Sequence, residues 1–253
     1  MKIEKKLWII LFAFGIFAIC FSGWIFRQST AREKLFWDNT IRCETKELKE
    51  GEIKSENIAL PEDFDVPKSI LFKTTHTIAE VWLDGEKIYE YGNEADAPGF
   101  MKTPGSCWHI VDIPGDSSGK NLEVRIIPVY EGYYGNEVSL VYGTRGDCIL
   151  KILTDCLGIL VISCGILFAA VICILLYCGA ARRKRSDKTE AKIEIFLNLG
   201  FFSLLVAVWT LVQCGFLQFL IPDGRTLYFV EYFSLFLFPV PFNFLLYDIC
   251  KSR

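Results

Sequence analysis

The sequence lacks the short motifs that mark most metal-dependent and nucleotide-dependent enzymes. It contains two histidines and ten cysteines, yet it has no C-x-x-C pair, no Cys/His cluster, no P-loop and no H-E-x-x-H string. A zinc site is therefore disfavoured, and so are the chemistries that need a phosphate-binding loop. A formal net charge of −3 gives no sign of a nucleic-acid partner. We predict no catalytic residue, no metal ligand and no cofactor in this chain.

One string does imitate a catalytic motif. Gly115–Gly119 reads Gly-Asp-Ser-Ser-Gly and so matches Gly-x-Ser-x-Gly. A nucleophile elbow needs a strand before the serine and a helix after it. Here a Pro-Gly turn precedes the string and a predicted strand, Leu122–Ile127, follows it, so we predict a plain polar turn. His76 and His109 lie in or beside predicted strands, where a hydrogen-bonded structural histidine is commoner than a base or a ligand.

What the sequence has in excess is apolar residues, at 52% of the chain with 21 phenylalanines and a mean hydropathy of +0.32. Four runs are about as long as a helix needs to cross roughly 30 Å of hydrocarbon: Leu7–Phe26, Leu157–Cys178, Ile195–Ile221 and Leu227–Tyr247. The first run is predicted to be an uncleaved anchor. The alternative, a signal peptide removed near Ala31, fits its length and its Arg-Gln flank less well.

Basic residues predict how these runs cross the membrane. Lysines precede the first run, and a short loop after the second run is strongly basic. Because basic loops stay in the cytoplasm, both the N-terminus and that loop are predicted to be cytoplasmic. The section between the first two runs is then outside. The topology-determining residues are Arg182, Arg183, Lys184 and Arg185.

Short strand patterns fill that exterior section. The clearest is a hairpin in which Asp84 and Gly85 separate two alternating runs, because both residues tolerate the positive φ of a type I′ turn. Many short strands with Pro/Gly turns predict an all-β jelly roll or sandwich, inserted between transmembrane α-helices. The predicted strands are Ser69–Thr75, Ile78–Leu83, Glu86–Tyr91, Trp108–Ile113, Leu122–Ile127 and Val138–Tyr142.

These patterns together divide the chain into segments. The predicted segments are a cytoplasmic N-terminus (1–6), transmembrane helix 1 (7–26), a membrane-proximal stem (27–57), an extracellular jelly-roll sensor domain (58–148), transmembrane helix 2 (157–178), a basic cytoplasmic loop (179–194), transmembrane helix 3 (195–221), transmembrane helix 4 (227–247) and a cytoplasmic end (248–253).

Aromatic residues near turns of the β domain are the candidate ligand-binding residues, because aromatic faces beside carboxylates and amides suit a sugar or a small polar ligand. The alternative for each of them is a place in the sandwich core. Glycines at two positions put most of them in one predicted exposed loop. The candidates are Tyr130, Glu131, Tyr133, Tyr134, Asn136, Trp82 and Tyr91.

Cysteines and one acidic residue leave further alternatives open. One disulfide among Cys43, Cys107 and Cys148 is compatible with the exterior section, whereas the cysteines in apolar runs are interpreted as small buried hydrophobes. Glu231 lies four residues into the last run. We interpret it as interfacial, although an acid deep in hydrocarbon would be a functional candidate.

Three segments of the β domain carry a resemblance to a known family. They are Trp82–Tyr89, Pro104–His109 with the following Asp112-Ile113-Pro114, and Gly119–Val124. Together they resemble the galactose-binding-like jelly roll of bacterial seven-transmembrane receptors with diverse intracellular signalling modules (7TMR-DISM). The resemblance covers roughly residues 60–142 and the start of the helices.

The resemblance implies a sensor in the plasma membrane of a bacterium, multi-pass, with its jelly roll outside. In that family a bundle of membrane helices and a cytoplasmic output follow, often a GGDEF diguanylate cyclase or a histidine kinase. The partners it implies are the lipid bilayer, an extracellular sugar or small polar ligand, an output module in cis or in a partner protein, and a second copy in a homodimer. Only three spans follow the β domain and no output signature is present, so we expect a fragment or a shortened relative.

Two other classes of function compete with a sensor. One is a membrane-anchored protein that binds envelope carbohydrate or assists envelope assembly without signalling. The other is a membrane-embedded enzyme or transporter, in which Glu231, Gln213 and Asn198 would line a polar path.

Overall fold

The computed structural model describes residues 40–42, 54–60, 62–93, 101–130, 139–182 and 187–251. The described residues fall into two compact units. The β unit contains residues 40–154 together with residues 218–228, and the helical unit contains residues 155–217 and 229–251. The predicted first span, 7–26, lies outside the described residues.

Two antiparallel four-stranded sheets form the β unit. Sheet A has the order β1-β8-β3-β6, and sheet B has the order β2-β7-β4-β5. The strands are β1 (Thr40–Arg42), β2 (Lys54–Ala59), β3 (Lys68–Thr75), β4 (Thr77–Leu83), β5 (Glu86–Tyr91), β6 (Ser106–Ile113), β7 (Asn121–Pro128) and β8 (Ser139–Gly143). β1 and most of β2 lie in the segment 27–57, which the sequence pattern predicts as a membrane-proximal stem.

The predicted hairpin is confirmed, since β4 and β5 pair around a two-residue turn. Asp84 has a φ of 48° and Gly85 a φ of 86°, which is the positive φ at both positions that the turn needs. Burial alternates strictly along β4, so that Val81 and its alternate neighbours face inward. This alternation is what the sequence pattern predicted.

One hydrophobic core lies between the two sheets, because the inward residues of both sheets belong to the same buried cluster. Each fully buried aliphatic or aromatic side chain of this kind contributes about 1.5–3 kcal/mol. The shared core therefore holds the sheets together. Its members include Ile70, Phe72, Val111, Ile113, Leu140 and Tyr142 of sheet A, and Ala79, Val81, Leu83, Leu122, Val124 and Ile126 of sheet B.

Three helical stretches in the described part of the chain are long and apolar enough to cross a membrane: Arg145–Ala181, Ile193–Gln213 and Gly224–Lys251. The helices are α1 (Arg145–Ala181), α2 (Asp187–Gln213), α3 (Gly224–Leu237) and α4 (Pro239–Lys251). α1 has 37 residues. At 1.5 Å per residue it is roughly 55 Å long, well beyond the hydrocarbon thickness.

The helix bounds differ from the predicted spans, most clearly at the start of α1 and at the end of α2. α1 begins at Arg145, twelve residues before the predicted span, because Thr144 and Asp147 cap it: Asp147 N donates to Thr144 Oγ1 at 3.2 Å and Thr144 N donates to Asp147 Oδ2 at 3.0 Å. α2 ends at Gln213 rather than continuing to Ile221. Gly215 then takes a φ of 62°, and a 3₁₀ turn follows at Phe216–Phe219.

The Gly-x-Ser-x-Gly string lies between β6 and β7 and not before a helix. Ser117 is fully buried, and its Oγ donates to the carbonyl of Pro114 at 2.7 Å. The predicted polar turn is confirmed. Cys107 and Cys148 are separate buried thiols and are not joined to each other; Cys43 lies outside the described residues.

Candidate functional site

A buried polar cluster lies between β5 and β6, which are the last strands of their two sheets. His109 of β6 is 1% exposed. A 2.7 Å hydrogen bond joins its Nε2 to Thr74 Oγ1, and a 3.0 Å bond joins its Nδ1 to the hydroxyl of Tyr89. Burial lowers the pKa of His109 to about 3, so the ring is neutral at physiological pH. Burial likewise raises the pKa of Tyr89 to about 12.

Tyr91 extends this cluster toward the surface. Its hydroxyl donates to the carbonyl of Pro104 at 2.7 Å and lies 2.9 Å from Cys107 Sγ. Its ring contacts the ring of His109 edge-on, with centroids 4.9 Å apart. Burial raises the pKa values of both Tyr91 and Cys107 above their ordinary values. Every member of the cluster is thus neutral near pH 7, as burial without charge partners requires.

The chain between α2 and α3 closes the cluster. Residues 218–228, which we call the docking segment, belong to the β unit although they connect two apolar helices. A Cβ added to Gly224 would overlap Cys107 Sγ and the hydroxyl of Tyr91, and a Cβ added to Gly105 would overlap the carbonyl of Gly224. The two glycines therefore let two backbones meet where no larger residue fits.

Gln218 occupies the open edge of β6. The backbone N–H of Trp108 donates to Gln218 Oε1 at 2.8 Å, and Gln218 Nε2 donates to the backbone carbonyl of Trp108. One side-chain amide thus replaces the missing neighbouring strand at one residue. Since an unpaired strand edge invites pairing with another chain, this contact also protects the edge.

Removing the Gln218 amide should open the β6 edge locally. We expect Gln218→Ala to cost about 2 kcal/mol, because two hydrogen bonds of about 1 kcal/mol each are lost. Hydrogen exchange of peptides containing Trp108, measured on the full chain in lipid nanodiscs, should speed up by about tenfold or more. Gln218→Glu, which keeps an acceptor for the Trp108 N–H, should give a smaller effect. Unchanged exchange in Gln218→Ala would contradict the contact.

Two further contacts hold the docking segment. Arg225 Nη2 donates to the carbonyl of Asn93 at 2.6 Å, just beyond the end of β5. The carboxylate of Asp223 caps α3, accepting from the backbone N–H of Thr226 at 3.1 Å and from its hydroxyl at 2.6 Å. The start of α3 is thereby fixed by its own cap and by the β unit at once.

His76 links the docking segment to the turn between β3 and β4. It takes a φ of 55°, and its Nδ1 is joined to Thr103 Oγ1 by a 2.8 Å hydrogen bond. The rings of Tyr228 and Tyr130 contact it edge-on, with centroids 5.1 Å and 5.9 Å away. Burial lowers the pKa of His76 as well. The cluster, the docking segment and these rings form the candidate site.

The structure distributes the predicted ligand residues over different places. Tyr130 lies beside His76, and Tyr91 lies in the buried cluster. Trp82 lies on the outer face of sheet B, where the guanidinium of Arg125 covers its ring at 4.4 Å. Trp82 and Tyr91 therefore cannot contact one small ligand together. The remaining candidates, Glu131, Tyr133, Tyr134 and Asn136, lie outside the described residues.

Sequence reasoning missed the docking segment. Gln218 lies within the predicted apolar run Ile195–Ile221, and Pro222–Arg225 lies between that run and the next. The only local sign of this segment is that a Gln within an aromatic stretch is followed closely by Pro-Asp-Gly-Arg, which interrupts the apolar residues. Contacts 110 residues apart in the chain leave no local pattern.

Polar pairs also occur inside the helical unit. Gln213 Nε2 donates to Glu231 Oε1 at 2.5 Å, and Asn198 Nδ2 donates to Asp248 Oδ2 at 2.6 Å. Asp248, predicted at the cytoplasmic end, is 3% exposed. The first pair joins α2 to α3, and the second joins α2 to α4.

No metal site is present in the described ranges, since no three His, Cys, Asp or Glu side chains lie close enough to share an ion. Comparisons of the chain with protein-family models, with curated proteins and with solved structures found no match.

Proposed function

We propose that this chain is the sensory part of a bacterial transmembrane receptor, whose β unit lies outside the membrane and whose helices carry a signal to a cytoplasmic output. The observation that carries the proposal is the docking segment: a connection between two apolar helices is built into the β unit through Gln218, Gly224 and Arg225. A membrane anchor alone would not need that connection.

Strand pairing supports the finer proposal that the β unit is a jelly roll. The pairs β1 with β8, β2 with β7, β3 with β6 and β4 with β5 are all antiparallel and are nested one inside the next. Rolling such a nested ribbon onto itself gives two four-stranded sheets, which is the jelly-roll arrangement.

The topology we propose follows the basic residues. α1 ends at the start of the basic run, where Arg182 is exposed. If that run stays in the cytoplasm, the other end of α1, the β unit and the docking segment are outside.

We expect the output to be a diguanylate cyclase or a histidine kinase, in cis or in a partner, and the receptor to be a homodimer.

Helix continuity supplies the coupling. α1 runs from the β unit into the helical unit without a break, and so does α3. A ligand that changes how the β unit holds the start of α1 or of α3 therefore acts directly on helices in the membrane. Such a ligand must bind one arrangement more tightly than the other. The proposed ligand is a sugar or another small polar molecule near Tyr130 and His76.

The test is to loosen the docking segment and measure output in the native host. Gln218→Ala should change cellular cyclic di-GMP, or phosphorylation by the associated kinase, by at least fivefold. Lys87→Ala, an exposed residue on the outer face of sheet B, is the matched control and should leave both unchanged. Wild-type output in Gln218→Ala, together with altered envelope carbohydrate binding, would instead favour the anchored binding protein.

A further inference from the structure

Two cysteines of the helical unit meet across two helices. Cys156 lies in α1, and Cys214 directly follows the end of α2. Both are buried, at 6% and 1% exposure. The thiol of Cys214 lies 3.6 Å from the carbonyl oxygen of Cys156 and is also hydrogen-bonded to the Cys156 side chain. They are 58 residues apart in the chain, so folding and not sequence proximity brings them together.

The other cysteines of α1 make the pair distinctive. Cys164 and Cys178 are exposed on the same helix, and Cys173 is buried there. Cys156 and Cys214 bring two cysteine side chains of the helical unit into contact. In the sequence, Cys214 lies in a predicted apolar run, and Cys156 lies one residue before another, Leu157–Cys178.

The local backbone suits a covalent bond between them. A disulfide needs sulfur atoms about 2.05 Å apart and Cβ atoms about 3.8 Å apart. The two thiols contact each other, so closing a bond requires the sulfur atoms to approach further. Cys214 directly follows the last residue of α2, beside Gly215 with its φ of 62°.

The side of the membrane also suits it. In the topology proposed above, on which this step rests, the start of α1 and the end of α2 are both at the exterior side. Disulfides form and persist in exterior compartments and are rare in the cytoplasm.

We propose that Cys156 and Cys214 form a reversible disulfide, a modification site that ties α1 to the end of α2. The oxidant is an exterior disulfide such as oxidised glutathione. One cysteine thiolate attacks a sulfur of that disulfide and releases one glutathione thiolate. The second cysteine thiolate then attacks the mixed disulfide and releases the other. The two cysteines lose two electrons and two protons, and the external disulfide becomes two thiols.

Formation of the bond has a defined consequence. Cys214 precedes the docking segment by four residues. The bond would hold the end of α2 at a fixed distance from α1, so the oxidised protein would have less freedom at the chain that enters the docking segment. Oxidation would then bias the same equilibrium that a ligand is proposed to bias.

The experiment is differential alkylation of the full chain in membrane vesicles. Vesicles are incubated with oxidised glutathione or with dithiothreitol, quenched in acid, denatured and labelled with N-ethylmaleimide. Peptides are then quantified by mass spectrometry. We expect labelling of Cys156 and Cys214 to fall together by at least tenfold after oxidation and to recover with dithiothreitol. A peptide pair joined through these two residues should appear without reduction.

Matched controls separate this bond from general oxidation. Cys164 and Cys178 should not appear in any joined peptide pair, because neither lies against a second cysteine side chain. Cys214→Ser should abolish the joined pair and leave Cys156 either labelled or carrying a single glutathione, with the serine preserving size and fold. The proposal is overturned if Cys156 and Cys214 stay fully labelled after oxidation, or if both lose labelling without a joined peptide pair. Either result would leave the signalling test with Gln218→Ala untouched, so the two proposals fail separately.

Discussion

Replacing Gly224 by alanine is expected to lower the stability of the β unit by about 3 kcal/mol, or to release the docking segment from it. The added methyl group would overlap Cys107 Sγ, the Tyr91 hydroxyl and the carbonyl of Pro104. Two of these belong to the buried cluster, and the third is a backbone carbonyl that accepts a hydrogen bond from the Tyr91 hydroxyl at 2.7 Å. Overpacking of this kind costs about 1–3 kcal/mol where neighbours can move, and the upper end applies because these neighbours are fixed.

Gly146→Ala is the matched control for this substitution. Gly146 also lies in the first turn of a helix of the β unit, but a Cβ there would come no closer than 3.7 Å to Thr144 Oγ1. Alanine is the better helix former, so this variant should be neutral or slightly more stable. Hydrogen exchange of β5 and β6 amides in nanodiscs measures both variants. Equal protection in the two variants would show that the docking segment does not pack against the cluster.

Acidification is expected to destabilise the β unit through His109. The pKa of His109 is about 3 in the folded protein because the ring is buried, whereas an unfolded chain has a histidine pKa of about 6.5. Between those values the unfolded state binds a proton that the folded state does not. Stability is therefore full above pH 6.5 and falls by about 1.4 kcal/mol for each pH unit below it, or by about 2 kcal/mol between pH 7 and pH 5.

His76, whose pKa is also lowered by burial, lies in the same unit, so a variant of His109 is needed to isolate its effect. Thr74, Tyr89, Tyr91 and Phe72 surround the ring, and none of them changes charge between pH 5 and pH 7. His109→Gln removes the titrating group and keeps a polar partner for Thr74. In the unsubstituted protein, the opening free energy of the β3 and β6 amides, from hydrogen exchange corrected for intrinsic rates, should fall by about 2 kcal/mol between pH 7 and pH 5. In His109→Gln that fall should disappear. The same pH dependence in both proteins would refute the assignment.

Local chemistry explains which parts of the fold the sequence predicted. The β4–β5 turn needs only Asp84 and Gly85, and the alternation of β4 reflects one buried face. The apolar helices are predicted by length alone. β1 was missed because three residues carry no alternation, and its partner β8 begins almost one hundred residues later. Pairing at that separation is decided by the shared core and not by the strand itself.

The candidate site was less predictable than the fold. Tyr91 and His109 were each noticed, but nothing in the sequence indicates that they meet through Tyr89 and Thr74 at the boundary of two sheets. Gly224 lies between two predicted apolar runs. Gly224 matters because it has no side chain where its backbone approaches Gly105. A glycine in a sequence does not indicate which other backbone lies close to it.

The partnership of Gln218 with Trp108 also sets an order of events during synthesis. The ribosome must add 110 residues after Trp108 before its partner exists. At 5–20 residues per second this takes roughly 5–20 s. During that interval the β6 edge emerges without its cap, next to unfinished copies on the same messenger RNA. Nascent chains are thus most prone to pair edge to edge just before α3 is made, and we expect a translation pause after residue 143 to increase misassembly.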